Sequence, residues 1–297
     1  MPNQLKQIFR QWEPVQWMVA GYALVTGILS LFYSTADNYW IAHAFPRFLL
    51  LIYLVGRTPL KTRISNRAFL FADMLAPILL IGFFYNETQF LNTFLSTYHD
   101  PVLAEIEYKI FGFQPSLVFS ERFSDFMMVE LMYFAYIFYY LLIFGFCLYV
   151  FFRNTDEFKK SVFIIITSFV IFYLFFIIYP AAGPQYYFEE ALIKLPRGGV
   201  FQKLMFFIQS IGEGPTAAFP SSHVGMTVII LFLSYKYSPQ FFYFALPVSI
   251  LLCFSTVYIK AHYAIDVIAA FVAVPIILKS SFYLWRLFLK HSHNLNS

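Results

Sequence analysis

Long apolar stretches separated by short polar segments dominate the pattern of this chain. A helix rises about 1.5 Å per residue and the hydrocarbon of a bilayer is about 30 Å thick, so about 20 mainly apolar residues can cross a membrane. The pattern predicts an all-α fold, a polytopic bundle of about 8 (6 to 8) transmembrane helices in a single domain over residues 1–297. The predicted spans are residues 15–33, 39–56, 69–85, 127–152, 161–180, 223–237, 240–259 and 262–285.

The distribution of basic residues predicts the orientation, because short cytoplasmic segments are enriched in Lys and Arg. With the N-terminus inside, most of the 20 basic residues fall on short cytoplasmic segments, among them Arg57 after the second span. That span is the weakest, since Pro46 and Arg47 interrupt it, and its loss would invert everything before the next helix. We expect both termini in the cytoplasm. Segments 86–126 and 181–222 then lie on the outer face, which is periplasmic, extracellular or lumenal, and the membrane is the plasma membrane if the protein is bacterial.

Composition agrees with a membrane protein and argues against other classes. Hydrophobic residues make up 60% of the chain and charged residues 12%, which is too much apolar surface for a soluble domain to bury. The net charge of +4 is dispersed over the loops, so no nucleic-acid partner is expected. Cys147 and Cys253 lie in apolar runs, where we expect small hydrophobic side chains and no disulfide. The first span follows Lys6 and Arg10 as a signal peptide would, but its length favours a retained helix.

The first outer segment contains a predicted surface helix. Asp100 and Pro101 suit a helix start, Gly112 suits its end, and the apolar residues between them recur at helical spacing. The pattern favours a short amphipathic helix on the membrane surface, next to the site.

Two segments place polar residues at the start of otherwise apolar helices. In the first, Ser221 and Ser222 precede His223, and unpaired backbone N–H groups at such a start favour anion binding. In the second, His262 and Asp266 are four residues apart, so the carboxylate can hold one imidazole nitrogen and leave the other free. This pattern is typical of an activated nucleophile with its orienting group. On the predicted topology both histidines reach one phosphate from opposite sides, as phosphoryl transfer requires.

These segments resemble the type-2 phosphatidic acid phosphatases and their relatives. The family motif P-S-x-H is matched by the run from Pro220 to His223, and the motif S-R-x5-H-x3-D by Ser255, His262 and Asp266, with Thr256 in place of the Arg. The family motif K-x6-R-P has no proper match. Lys194 and Arg197 lie in the expected loop at the wrong spacing, and Gln185 stands where a basic residue would be unsurprising.

The departures resemble one branch of that family. The form H-Y-x-x-D, with Tyr263, and the segment from Asp100 to Pro115 are similar to the inositol phosphorylceramide synthases, and H-Y-x-x-D also occurs in sphingomyelin synthases. Those enzymes transfer a head-group phosphate to a lipid alcohol instead of to water. The resemblance covers a catalytic region of about residues 100–285.

The resemblance implies roles for the matching residues. His262 is the expected nucleophile that becomes phosphohistidine, Asp266 orients it, and His223 is the acid and then the base. The expected phosphate-binding residues are Ser221, Ser222, Lys260, Arg197 and Lys194. No metal and no organic cofactor is implied. The expected partners are a lipid phosphate substrate, membrane lipids and, for a transferase, a lipid-alcohol acceptor.

The same residues have other, less specific interpretations. The two histidines with Asp266 could ligate zinc or iron, although the sequence offers no clear further ligand. They could also relay protons in a proton-coupled transporter. The basic residues could be interfacial anchors. His43, His99, His291 and His293 are expected to be interface residues.

Overall fold

The structure, a computed structural model, describes residues 12–32, 40–95, 97–188, 195–212 and 214–296. These residues form helices joined by turns and short connections, without a strand among them, which confirms the predicted all-α fold. The helices are α1 (Pro14–Leu31), α2 (Trp40–Arg63), α3 (Asn66–Leu95), α4 (Asp100–Phe111), α5 (Pro115–Arg122), α6 (Phe126–Arg153), α7 (Thr155–Ile178), α8 (Pro184–Tyr187), α9 (Val200–Gly212), α10 (Ser222–Tyr237), α11 (Pro239–Tyr258) and α12 (Ala264–Asn296).

Each predicted span corresponds to one of these helices. Within the described part of the chain, six of them are long and apolar enough to cross a membrane, namely α1, α3, α6, α7, α11 and α12. Helix α2 has sufficient length at 24 residues but is more polar, and α10 has 16 residues, which rise about 24 Å. Six lies at the lower end of the predicted range. The chain is a multi-pass integral membrane protein.

The two segments predicted to lie on the outer face hold more structure than the pattern predicted. The amphipathic helix is present as α4, and Gly112 ends it with a φ of +75°. Helices α5, α8 and α9 were not predicted, so treating segments 86–126 and 181–222 otherwise as loops was wrong. Helix α9 packs against α6. The helical spacing of its apolar residues was visible in the sequence, from Val200 and Leu204 to Ile208 and Ile211.

Helix α7 lies at the centre of the bundle and contacts α1, α3, α6, α10 and α12. Most of its side chains are buried, including Phe172. Gly225 of α10 allows a close approach to this helix, because a Cβ there would lie 2.3 Å from the Phe172 ring. The start of α10, and His223 with it, is thereby held against the core.

A buried ion pair joins the first three helices. Asp73 of α3 accepts hydrogen bonds from Arg57 of α2 at 2.5 and 2.9 Å, from Tyr53 at 3.0 Å and from Gln16 of α1 at 3.3 Å. Arg57 therefore lies inside α2, which continues to Arg63, and its predicted place on the cytoplasmic side stays a prediction. The sequence pattern could not show that Asp73 would neutralise it.

A second buried group joins the same helices. Glu87 of α3 lies 2.6 Å from Nδ1 of His43 and 2.7 Å from the guanidinium of Arg47. Arg47 also donates to the Thr26 hydroxyl of α1 at 2.7 Å. His43, expected at the membrane interface, is instead buried, because charged groups inside a membrane bundle are stable when they pair with one another.

We expect Asp73→Ala to lower the free energy of unfolding by about 3–5 kcal/mol, because it leaves Arg57 as an uncompensated buried charge. Thermal unfolding of the detergent-purified protein would measure this. The double variant with Arg57→Ala should lose less than the sum of the single losses. Glu105→Ala, which removes an exposed pair with Lys109, is the control and should leave Tm unchanged. Additive losses for Asp73 and Arg57 would contradict the coupling.

Candidate active site

Two helix starts form the candidate active site. Ser221 is the N-cap of α10, and its hydroxyl accepts a hydrogen bond from the Val224 amide at 3.3 Å. The Ser221 amide donates to the carbonyl oxygen of Asp266, in the first turn of α12, at 3.1 Å. This bond holds the starts of α10 and α12 together at one end of the bundle.

The two motif histidines are in contact. Nδ1 of His223 lies 3.3 Å from Nε2 of His262. The Nε2 atom of His223 lies 3.1 Å from the hydroxyl of Tyr136 on α6, and Nδ1 of His262 lies 2.7 Å from the carbonyl oxygen of Ala218. The structure thus brings both residues into one site, where His262 and His223 are almost completely buried.

The protonation of this pair follows from its partners. A carbonyl oxygen only accepts, so His262 donates from Nδ1 and its Nε2 carries a lone pair. His223 then donates from Nδ1 to that lone pair and accepts at Nε2 from Tyr136. Assigned in this way from the network, both imidazoles are neutral. In this assignment Nε2 of His262 is the acceptor of the bond between the two rings.

Asp266 contributes less directly than expected. Its Oδ2 atom lies 3.5 Å from Nδ1 of His262, beyond the usual N–H···O range of about 2.7–3.2 Å, and accepts from the Tyr263 amide at 2.7 Å. The predicted hydrogen bond from His262 to this carboxylate is therefore replaced by one to Ala218. Asp266 instead holds the turn before α12 through the Tyr263 amide. Over the residues the structure describes, no group of three or more His, Cys, Asp or Glu side chains suits a metal ion.

The loop that carries Ala218 is anchored on α3 and on the segment after α7. The Thr216 hydroxyl accepts from the side-chain amide of Asn92 at 3.0 Å and lies 3.2 Å from the Thr88 hydroxyl. The Ala218 amide donates to the Ala181 carbonyl at 3.1 Å. Helix α3 thereby helps to place the oxygen that orients His262.

Helix α4 supports the other side of the site through Asp100. Its carboxylate accepts from the amides of Ala182 at 2.8 Å and Gly183 at 2.7 Å, and from the Tyr263 hydroxyl at 3.1 Å. Gly183 has a φ of +97°, and a Cβ there would lie 2.7 Å from the carbonyl oxygen of Ala261. The segment after α7 therefore needs glycine to pack against the backbone beside His262.

Glu107 lies two turns beyond Asp100 on α4 and is completely buried. Its carboxylate accepts from the Ala264 amide at 2.5 Å, so it caps the start of α12. Burial, reinforced by the charge of Asp266, raises the pKa of Glu107 to about 7. Asp100 and Glu107 together fix the connection that carries His262.

Comparison with known proteins gives this geometry a family. The sequence model of the PAP2 superfamily matches residues 102–279, which is more than half of the chain. The chain belongs to the PAP2 superfamily.

One relative is a PA-phosphatase related-family protein of Dictyostelium discoideum, which is 28% identical over 123 residues. The alignment covers 40% of this chain and 22% of that protein, so the chain spans less than a quarter of the length of this relative. No solved structure matches the chain. The region that matches the PAP2 superfamily runs from α4 into α12, and α1, α2 and α3 precede it.

Three of the predicted phosphate-binding residues lie within two residues of the motif histidines in the sequence. Ser222 is buried at the first position of α10, whereas the hydroxyl and amide of Ser221 already serve the two helix starts. Lys260 is completely buried two residues before His262, with a φ of +67°. Its carbonyl oxygen accepts from the backbone amide of Gln185 at 3.0 Å. Gln185, the position at which a basic residue would be unsurprising, therefore lies beside the site.

The remaining basic candidates are Arg197 and Lys194. Arg197 is exposed in the segment before α9, where the Gly199 amide donates to Glu130 of α6 at 2.7 Å. Its role in phosphate binding stays a prediction. Lys194 lies outside the residues that the structure describes.

The sequence did not identify several residues that complete the site. Tyr136 is one of 22 tyrosines and lies in an apolar helix, so nothing marked it as the partner of His223. Ala218 acts through its backbone oxygen, which no motif shows. Glu107 could have been found as a carboxylate on the buried face of α4, seven residues from Asp100.

We expect Glu107→Gln to flatten the pH dependence of thermal stability between about pH 4.5 and 7. The folded protein holds the proton of this carboxyl up to about pH 7 and the unfolded chain releases it near 4.5, so stability falls as the pH rises through this window. The amide cannot titrate but still accepts from the Ala264 amide. The control is Glu105→Gln, on the exposed face of α4. Equal Tm slopes in the wild type and Glu107→Gln would contradict the assignment.

Proposed function

We propose that this protein is a membrane lipid-phosphate phosphatase or phosphotransferase that acts through a phosphohistidine on His262. The observation that carries the proposal is the hydrogen-bond chain from Tyr136 through His223 and His262 to the Ala218 carbonyl. It leaves a lone pair on Nε2 of His262 and a proton on the adjacent Nδ1 of His223. A nucleophile and an acid therefore stand side by side.

In the first step, Nε2 of His262 attacks the phosphorus atom and the bond from phosphorus to the ester oxygen breaks. His223, which takes up a proton when the anionic phosphate binds and is then protonated on both nitrogens, gives its Nδ1 proton to that oxygen and becomes neutral, so the leaving group departs as a neutral alcohol. The positive charge that forms on the phosphorylated imidazole is stabilised by the Ala218 carbonyl and by Asp266. His223 is left as the base for the next step.

In the second step, the acceptor oxygen attacks phosphorus and the P–N bond to His262 breaks. His223 takes the proton of the acceptor, which restores the starting pair. Water as acceptor gives a phosphatase, and a lipid alcohol gives a phosphotransferase. The walls of the site and the exclusion of water select between them.

The phosphate oxygens are bound by Ser222 and Lys260, with Ser221, Arg197 and Lys194 as further candidates. The burial of Lys260, two residues before His262, supports this assignment, because a buried cation is stabilised by an anion. The substrate is a phosphorylated amphiphile that reaches the site from the bilayer. The distribution of basic residues supports an outer-facing site with cytoplasmic termini.

A second candidate is a head-group transferase similar to the inositol phosphorylceramide synthases. Two features of the sequence suggest that branch, Tyr263 in the H-Y-x-x-D form and the segment that begins at Asp100. The structure places the Tyr263 hydroxyl 3.1 Å from the Asp100 carboxylate. The two features that suggest the branch are therefore in direct contact beside His262, which favours this candidate.

We expect His262→Ala to lose at least about 10³-fold in activity, because the nucleophile is removed. The reaction is measured with radiolabelled phosphatidic acid, phosphatidylinositol and polyprenyl diphosphate in detergent. A protein-bound phosphate label that is stable to alkali and labile to acid should form in the wild type and not in this variant, and orthovanadate should inhibit. Full activity of His262→Ala would remove the mechanism.

His223→Ala should lose about 10²–10⁴-fold in activity on alkyl phosphates, because the leaving oxygen receives no proton. Para-nitrophenyl phosphate has a leaving group that needs no acid, so the variant should still form the phosphoenzyme from it. Rapid-quench labelling separates this first step from the second. An equal loss of labelling with both substrates would refute the acid role.

Adding ceramide or diacylglycerol distinguishes the two candidates. Release of free phosphate that depends on His262 supports the phosphatase, and a labelled phospholipid formed only with the acceptor supports the transferase. Turnover in no mixture, together with proton uptake by proteoliposomes, would favour the proton-coupled transporter instead.

A further inference from the structure

A cavity of about 430 Å³ lies between α3, α6, α7 and α9 and ends at the candidate active site. Its walls are apolar and aromatic side chains, such as Ile81 from α3, Tyr139 from α6 and Phe169 from α7. Ser222 and His223 line the same cavity. An apolar space therefore terminates at the residues that we assign to phosphate and to the leaving group.

The cavity opens where the protein faces lipid. Leu79 of α3 is 56% exposed, and Phe207 and Ile211 of α9 are 63% and 68% exposed. Because α3 crosses the membrane and these side chains are apolar, their exposed surface suits hydrocarbon and not water. A chain can enter sideways between α3 and α9 without leaving an apolar environment.

The size of the cavity limits what it holds. A volume of about 430 Å³ lies in the lower part of the range of roughly 300–1,000 Å³ that is usual for small-molecule sites. A narrow apolar space of that size suits one hydrocarbon chain. A second chain of the same lipid would remain in the bilayer.

We propose that this cavity binds the hydrocarbon chain of the leaving lipid alcohol. The inference rests on the proposed function, which makes His223 the group that protonates the leaving oxygen. Since His223 forms the end of the cavity, the chain inside it belongs to the alcohol that departs and not to the phosphoryl group that is transferred. The substrate is a phosphate ester of a long-chain alcohol, with the chain attached close to phosphorus.

The same geometry applies to the second step. The acceptor approaches the phosphohistidine from the side on which the leaving group departed, because His223 serves both oxygens. A lipid-alcohol acceptor would therefore occupy the cavity after the first alcohol has left. Long-chain alcohols should compete with long-chain substrates.

Helix α3 contributes a wall of the cavity from outside the region that matches the PAP2 superfamily. Gly82 on α3 lines the cavity. A Cβ at Gly82 or at Gly212 of α9 would meet no atom within 4 Å. Larger side chains at these two positions can fill the cavity without displacing a neighbour.

The test compares Gly82→Phe and Gly212→Phe with Gly21→Phe, an exposed position on α1 that also has nothing within 4 Å. Dodecyl phosphate and para-nitrophenyl phosphate are the two substrates. Each cavity variant should raise KM for dodecyl phosphate at least about tenfold, because the chain loses its packing contacts with the cavity walls, and leave para-nitrophenyl phosphate unchanged. Gly21→Phe should behave as wild type. An equal loss on both substrates, or no loss in a folded cavity variant, would overturn the proposal.

A binding measurement separates this proposal from the enzymatic one. A dodecyl phosphonate, which cannot be hydrolysed and carries a diazirine at the chain end, should label peptides of α3 or α9 in the wild type and not in Gly82→Phe. Labelling there without phosphate release would support the cavity site while the proposed activity fails. Phosphate release with labelling elsewhere would overturn the cavity site and leave the activity standing.

Discussion

Hydrocarbon as solvent is the constraint on which this structure depends. No water is present in the core of a bilayer to bind backbone or side-chain polar groups, so a polar group there needs a partner within the protein. Helices satisfy most of the backbone. Asp73 is paired with Arg57 and Glu87 with His43 and Arg47, so buried charges of α2 and α3 are paired with one another. The irregular backbone before α10 and before α12 forms the candidate site.

The irregular segments around the site are held by side chains that act on backbone groups. Asp100 binds the amides of the segment after α7, Glu107 caps α12, and Asn92 and Thr88 hold Thr216 in the loop before α10. Each of these side chains is completely or almost completely buried. The position of His262 therefore depends on α3 and α4 as well as on its own motif. Helix α3 precedes the PAP2 match, so this part of the support lies outside the family region.

The sequence could predict what depends on local pattern. Apolar stretches located the membrane helices, and the spacing of His262 and Asp266 indicated a shared site with His223. It could not predict partners that are distant along the chain. Arg57 served to predict the topology, but in the structure it is paired with Asp73, 16 residues away. The hydrogen bond of His262 goes to a backbone oxygen 44 residues away. Helix α9 could have been predicted, because the helical spacing of its apolar residues is present in the sequence.

The direct contact of the two histidines has a consequence for substrate binding. At 3.3 Å, Nδ1 of His223 and Nε2 of His262 leave no room for a phosphoryl group between them, so the substrate has to break this hydrogen bond. In the proposed mechanism these two atoms then take part in the reaction, one to attack and one to protonate. The cost has to be met by interactions away from phosphorus, and the packing of a hydrocarbon chain against the walls of the cavity is one that the structure offers. Long-chain substrates would therefore gain in kcat as well as in KM, since the chain helps to separate the histidines. Short soluble esters would have to separate the histidines without that help and should react more slowly.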